Sequence, residues 1–157
     1  MGYISDIRNK VGHDPIFMPS AGGCIYKDGN ILLQKRTDSG EWALHGGCLE
    51  LGDTFYQALV RELKEEINID VKKATPIAIL SGKKENHIYP NEDETYGIDM
   101  VFMVDEYEGI PTPDNIEVSD LKWFPLDNLP ENLHEPDINF FPIIRNYIEN
   151  KGFVVDW

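Results

Sequence analysis

The stretch from Thr54 to Asn68 constrains this chain more than any other segment. Thr54 followed three residues later by Gln57 is a capping-box pattern, in which side chain and backbone at a helix start satisfy each other's hydrogen bonds. Helix-forming residues then run to Asn68, a residue that tolerates the left-handed backbone at which helices end. At roughly 100° per residue, Tyr56, Leu59, Val60, Leu63 and Ile67 share one arc, predicted to pack on a sheet. Glu62, Glu65 and Glu66 fall side by side on the neighbouring arc, with Arg61 at its edge.

The surface for that apolar arc comes from strand-like segments on both sides of the helix. Ile16 to Tyr26 reads as a strand, Lys27-Asp28-Gly29-Asn30 as the turn of a hairpin, and Ile31-Leu32-Leu33 as its return. Trp42-Ala43-Leu44 is followed by Gly46-Gly47, which is expected to bend the chain into a short strand around Cys48 to Glu50. Beyond the helix, Pro76 to Leu80, Met100 to Asp105 and Lys122 to Phe124 read as strands, with a polar loop centred on Tyr89-Pro90-Asn91-Glu92-Asp93-Glu94. Ile4, Ile7 and Val11 suggest an opening helix broken by His13-Asp14-Pro15, and Pro125 to Leu129 a turn or short helix. Phe140 to Asn150 reads as a closing helix with Phe141, Ile144 and Ile148 inward. Strands around one central helix imply an α+β fold with a mixed sheet. Its 157 residues fit one domain, expected over 1–157.

Fourteen basic residues against 28 acidic ones give a formal charge of −14, which repels nucleic-acid backbone and anionic membranes, so neither is expected as a partner. A phosphorylated small molecule would be repelled too unless a cation lies between it and the carboxylates. No segment approaches the roughly 20 apolar residues of a membrane-spanning helix, and the first residues lack the basic and apolar regions of a signal peptide, so a cytoplasmic location is expected. Cys24 and Cys48 have no CxxC spacing and read as reduced, mostly buried thiols. Trp42 and Trp123 read as core aromatics.

A glutamate-rich helical stripe is ordinarily a solvated face. Three carboxylates at this spacing nevertheless repel one another by a few tenths of a kcal/mol per pair, and oxygen ligands suit Mg²⁺ or Mn²⁺. The surrounding residues decide between the two readings, because the segment 47–69 closely resembles the Nudix box. That pattern is Gly, five residues, Glu, seven residues, then Arg-Glu-hydrophobic-x-Glu-Glu-x-Gly-hydrophobic. Gly47, Arg61, Glu62, Leu63, Glu65, Glu66 and Ile69 match it, whereas Asp53 stands in place of Glu and Asn68 in place of Gly. His45 occupies a position where many members carry Pro. Val11 to Pro15, Tyr89 to Glu94 and Trp123 to Pro130 also look like a subgroup of small bacterial Nudix proteins.

The resemblance implies an α/β/α sandwich with a central catalytic helix, and metal-dependent hydrolysis of the diphosphate linkage in a nucleoside diphosphate joined to another moiety. A nucleoside triphosphate, ADP-ribose or a nucleotide sugar would qualify. It implies Mg²⁺ or Mn²⁺ held by Glu62 and Glu66, with Glu65 a ligand or a holder of water, and with the Gly46 carbonyl and Glu117 as further candidates. One glutamate acts as general base, Glu66 being the choice made here, and Glu65 and Arg61 complete the catalytic set. Arg36 is a candidate phosphate donor, with a surface charge as its equal alternative. His45, His87 and Tyr89 are candidate contacts to the nucleoside, and a homodimer is an admissible assembly. The competing reading is a Nudix-fold module that senses a nucleotide without cleaving it. The chain lacks the Gly-Lys-Ser/Thr of a P-loop and the Gly-x-Ser-x-Gly of a serine nucleophile, which argues against an ATPase and against acyl transfer by that route.

Overall fold

Asp28 and Gly29 both take positive φ, 49° and 82°, and close a two-residue hairpin whose flanking Lys27 and Asn30 are paired. From this turn the computed structural model, which describes residues 2–156, builds in the order α1 (Tyr3–Val11), β1 (Ile16–Lys27), β2 (Asn30–Arg36), β3 (Trp42–Ala43), β4 (His45–Cys48), α2 (Phe55–Ile67), β5 (Asp70–Leu80), β6 (Asn86–Ile88), β7 (Glu94–Glu108), β8 (Val118–Pro125), α3 (Phe140–Asn150) and β9 (Val154–Val155). The sheet runs β3-β2-β1-β7-β5-β9, with β4 pairing β1, β6 pairing β7 and β8 pairing β2. It is mixed, because β1 lies parallel to β7 and β9 parallel to β5 while the other pairs are antiparallel.

Alternation along the strands sends side chains to two cores. Ile31, Leu33, Val101 and Met103 join Phe140, Phe141, Ile143 and Ile144 of α3. Leu32, Phe102 and Val104 join Ala58, Leu59, Leu63 and Ile67 of α2. A helix therefore covers each face of the sheet, the α/β/α arrangement that was expected. α2 starts at Thr54 with both capping-box bonds formed and ends at Asn68 in the left-handed region, φ 57°. Trp42 is buried and meets Phe124 edge-on at 4.9 Å.

Several local expectations need correction. β4 spans His45–Cys48, so Gly46 and Gly47 lie inside a strand paired with Gly22 and Ala21 rather than in a bend before one. A Cβ on Gly46, whose φ is 134°, would collide with the Ala21 carbonyl oxygen, so glycine here serves close strand approach. β5 begins six residues earlier than expected, and Asn86–Ile88 of the supposed loop pairs with β7. In α2, Ala58 is buried while Tyr56 is exposed, its ring meeting Phe102 edge-on. Trp123 is also exposed rather than in the core. α1 forms, yet it buries none of its residues. Both cysteines are free thiols, Cys24 fully buried and Cys48 half-buried. No helix among the described residues is long and apolar enough to cross a membrane.

Candidate functional site

The three glutamates sit at the rim of the α2 core in a gradient of burial. Glu66 is buried, the Glu62 side chain is 15% exposed and that of Glu65 is 63% exposed. The gradient follows from rotation about the helix axis: Glu66 lies nearest the arc of Leu59, Leu63 and Ile67, and Glu65 farthest from it. β4 closes against this rim. Gly46 N–H donates to Glu66 Oε2 at 2.9 Å, and the Glu62 carboxyl carbon lies 2.7 Å from where a Cβ on Gly47 would stand. A side chain at 47 would displace the Glu62 carboxylate, whereas one at 46 would strike the backbone of β1, so the two glycines answer different demands.

Glu66 Oε1 accepts a hydrogen bond from Gln34 Nε2 at 2.9 Å, so both of its oxygens are held. Burial nevertheless pushes its carboxyl up to about 8, with the charges of Glu62 and Glu117 adding to the rise and the two hydrogen bonds opposing it. Burial raises Glu62 as well, against the pull of Arg61. Arg61 bonds to Glu62, to the Cys48 carbonyl at 3.0 Å and to Asp53 Oδ2 at 3.1 Å, and it approaches Glu65 at 3.6 Å. The shorter Asp53 therefore does reach the arginine. The same Oδ2 also accepts the Glu50 N–H at 3.1 Å, which folds the loop onto the helix. Arg61 Nε is buried without a hydrogen-bond partner.

Glu117 is exposed on the loop before β8, where its carbonyl accepts from Thr37 N–H at 2.9 Å. Among the described residues no three His, Cys, Asp or Glu side chains are drawn together into a group able to hold a metal ion. The structure thus brings Glu62 and Glu66 together at the rim and leaves Glu65 and Glu117 facing solvent.

A cleft of about 290 Å³ adjoins the glycine strand, and Arg36, Gly46, Cys48, Tyr89, Asp99 and Asp137 are among the residues that line it. A larger, more open depression of about 540 Å³ lies elsewhere, beside Tyr26, Lys72 and Trp123; none of the site glutamates lines either hollow, but Gly46 and Gly47, which touch Glu66 and Glu62, line the smaller one. Arg36 ends β2 and is paired with Asp38 through two bonds, at 3.0 and 2.7 Å. That pairing, helped by Asp137 and Glu66, holds it firmly cationic. Tyr89 is half-buried with its ring edge-on to His87, and burial raises its phenol above the usual range.

His45 departs from expectation. It borders the cleft, but its imidazole is buried, with Nδ1 2.8 Å from Gln34 Oε1 and Nε2 3.1 Å from the Leu32 carbonyl. Burial pushes it down to about 4, so the ring is neutral and faces the core rather than a nucleoside. Three cleft or rim residues carried no expectation. Gln34 is a buried polar residue closing the run Ile31-Leu32-Leu33, and that interruption of an apolar strand was its only signal. Asp99 and Asp137 are each raised to about 6 by burial, and nothing in the sequence sets them apart from the other acidic residues.

Comparison with known proteins places this geometry among relatives. The NUDIX domain family profile matches residues 16–143. An NAD-capped RNA hydrolase, NudC, of Vibrio vulnificus (strain CMCP6) is 33% identical over 120 residues, covering 75% of this chain but only 42% of that protein, so the chain spans less than half of that relative. An ADP-ribose pyrophosphatase of Methanocaldococcus jannaschii is 32% identical over 134 residues, covering 83% of this chain and 72% of the relative. The crystal structure of a MutT NUDIX hydrolase from Burkholderia pseudomallei superposes with a TM-score of 0.71 at 27% identity, covering 82% of this chain and 98% of that one.

Proposed function

The chain belongs to the NUDIX domain family, and from that premise we propose that it hydrolyses the diphosphate linkage of a nucleoside diphosphate joined to another moiety, with Mg²⁺ or Mn²⁺ as cofactor. The observation that carries the proposal is the rim of α2, where Glu66 and Glu62 are withdrawn from water beside the glycine strand and both carboxyls are pushed upward. Glu62 is half-buried and paired with Arg61, whereas Glu66 is buried against the neutral donors Gln34 and Gly46; a buried carboxylate is costly without a compensating charge, and a hard divalent ion accepts oxygen donors of this kind. The residues therefore fit the metal. Mg²⁺ commonly takes only one or two carboxylates and fills its remaining positions with water and substrate oxygens, which suits a rim that gathers two acidic side chains rather than a closed cage.

When bound, the ion neutralises the diphosphate and makes the attacking water more acidic. The chain's own residues do the rest. Glu62 and Glu66 would hold the ion, with Glu65, Glu117 and the Gly46 carbonyl as further candidates. Glu66 would receive the water's proton on a carboxylate oxygen. Arg36 lies in the cleft with a planar donor set for phosphate oxygens, and Tyr89 offers a ring and a hydroxyl to the nucleoside. Arg61 ties Asp53 and the Cys48 carbonyl to α2 and keeps the loop in register with the glutamates.

ADP-ribose leads the substrate candidates, because the relative named for it is covered over most of its length. Nucleoside triphosphates, nucleotide sugars and NAD-capped RNA follow, the last set back by the charge of −14. A cytoplasmic setting and a small-molecule nucleotide partner belong to the same proposal. A nucleotide sensor is the second reading, favoured by one observation: both Glu66 oxygens already accept hydrogen bonds. Incubating the protein with this panel and Mg²⁺, Mn²⁺ or EDTA, followed by product chromatography, separates the two. Metal-dependent release of nucleoside monophosphate is expected. Tight nucleotide binding with no cleavage would establish the sensor, and undiminished hydrolysis in excess EDTA would remove the metal.

A further inference from the structure

Glu66 and three other groups form a closed ring. His45 Nδ1 meets Gln34 Oε1 at 2.8 Å, Gln34 Nε2 donates to Glu66 Oε1 at 2.9 Å, and Glu66 Oε2 accepts from Gly46 N–H at 2.9 Å. Gly46 is bonded covalently to His45, which completes the circuit. Gln34, His45 and Glu66 are all buried, and the ring ties β2, β4 and α2 together. The Leu32 carbonyl lies 3.1 Å from His45 Nε2, and the one N–H of the neutral ring is on Nδ1, because the Gln34 amide oxygen it faces can only accept.

We propose that Gln34 and His45 are positioning residues, a buried strut that sets the orientation of the Glu66 carboxylate toward the metal. The inference rests on the hydrolase reading above. A carboxylate offers about four lone-pair sites over two oxygens. Gln34 and Gly46 each take one, a different oxygen apiece, which fixes the carboxylate plane and leaves one site on each oxygen for a cation. Without the strut, Gly46 alone anchors one oxygen and the other can rotate. Gln34 is in turn kept from rotating by His45: the neutral ring has a single N–H, and on Nδ1 it donates to Gln34 Oε1. Hydrogen-bonded partners of metal-binding groups typically matter about 10- to 100-fold in metal affinity or activity.

The test uses the full chain and reads Mn²⁺ affinity directly, by paramagnetic resonance or calorimetry without nucleotide, beside kcat, KM and melting temperature. Gln34→Met keeps length and volume but removes the amide. It should weaken Mn²⁺ binding and lower kcat by about 10- to 100-fold, with nucleotide KM changing far less. His45→Asn can place an amide N–H near the Nδ1 position and should restore most of the wild-type behaviour. His45→Gln reaches toward Leu32 instead and should resemble Gln34→Met. The two His45 variants carry the test if Gln34→Met does not fold. Wild-type Mn²⁺ affinity in Gln34→Met, or His45→Asn no better than His45→Gln, would overturn the strut while leaving the hydrolase reading intact. A wild type that neither binds Mn²⁺ nor cleaves the panel would remove both.

Discussion

α2 and α3 cover opposite faces of one sheet, and both bury an apolar stripe, but only α2 buries an ionisable side chain. The buried residues of α3 are Phe140, Phe141, Ile143 and Ile144, all apolar, whereas those of α2 include Glu66 beside Leu59, Leu63 and Ile67. A helix whose only task is packing has no reason to desolvate a carboxylate, since burial disfavours the charged form. Under the proposed hydrolysis, the asymmetry separates a face that holds the fold from a face that would also hold chemistry.

The largest expected effect falls on the α2 face. Glu66→Gln should lower kcat by about 10² to 10⁴ through loss of the general base, without lowering the melting temperature. The Gln34 amide can reverse so that its oxygen accepts from the new amide and its nitrogen donates to His45, leaving every group satisfied. A fall in stability comparable to the fall in rate would erase the distinction between the faces. On the α3 face, Ile144→Ala should cost about 2 to 5 kcal/mol of stability, read by denaturant unfolding, while turnover per folded molecule stays at the wild-type level. A matching loss of turnover would show that chemistry extends to α3.

Smaller effects sharpen the comparison at its edges. Asp53→Ala frees Arg61 from the loop and should lower kcat by less than Glu66→Gln does, whereas Asp53→Glu should retain or raise it; steady-state kinetics that do not move in either variant would make the loop-to-helix ion pair irrelevant. The smallest effect concerns pH. Asp137 holds its proton up to about 6 in the fold, above the usual value of 3.8, because it is buried. A raised acid is bound by more protons when folded, so its contribution to stability is present below the ordinary value and is lost as pH rises through about 6. Melting temperatures of wild type and Asp137→Asn should therefore diverge between about pH 4 and pH 6, the wild type losing ground. Parallel curves would show that this carboxyl does not titrate in that window.

Much of this contrast was legible in the residues. Thr54, Gln57 and Asn68 act locally, and the bounds of α2 follow from them. Asp28-Gly29 does the same for the hairpin, and the spacing of Phe141 and Ile144 for α3. What escaped depends on partners distant in the chain. Asn86–Ile88 becomes a strand only because Thr95 and Tyr96 lie alongside it. His45 reads as a surface ligand until the strand eleven residues before it supplies Gln34 and Leu32. The glutamates could be placed on one arc from periodicity, but their unequal burial depends on β4 closing against the helix, a tertiary fact that spacing along α2 does not contain.

α1 is attached by different means from the rest of the molecule. None of its side chains is fully buried, Tyr3, Ile4 and Ile7 being half-buried, and polar links hold it at both ends: Tyr3 N–H to Glu50 at 2.9 Å, and Arg8 to the carbonyls of Asp14 and Glu94 at 2.7 and 2.6 Å. Glu50 lies just beyond the glycine strand, and Glu94 closes the loop that carries Tyr89. With no fully buried side chain in α1, against five in α2, α1 should open without the sheet opening. Its amides should then exchange with deuterium well before those of α2. The helix is fastened in part by charge, through the Glu50 carboxylate and the Arg8–Asp93 pair at 3.7 Å, and its hold on the sheet should therefore loosen as salt is added.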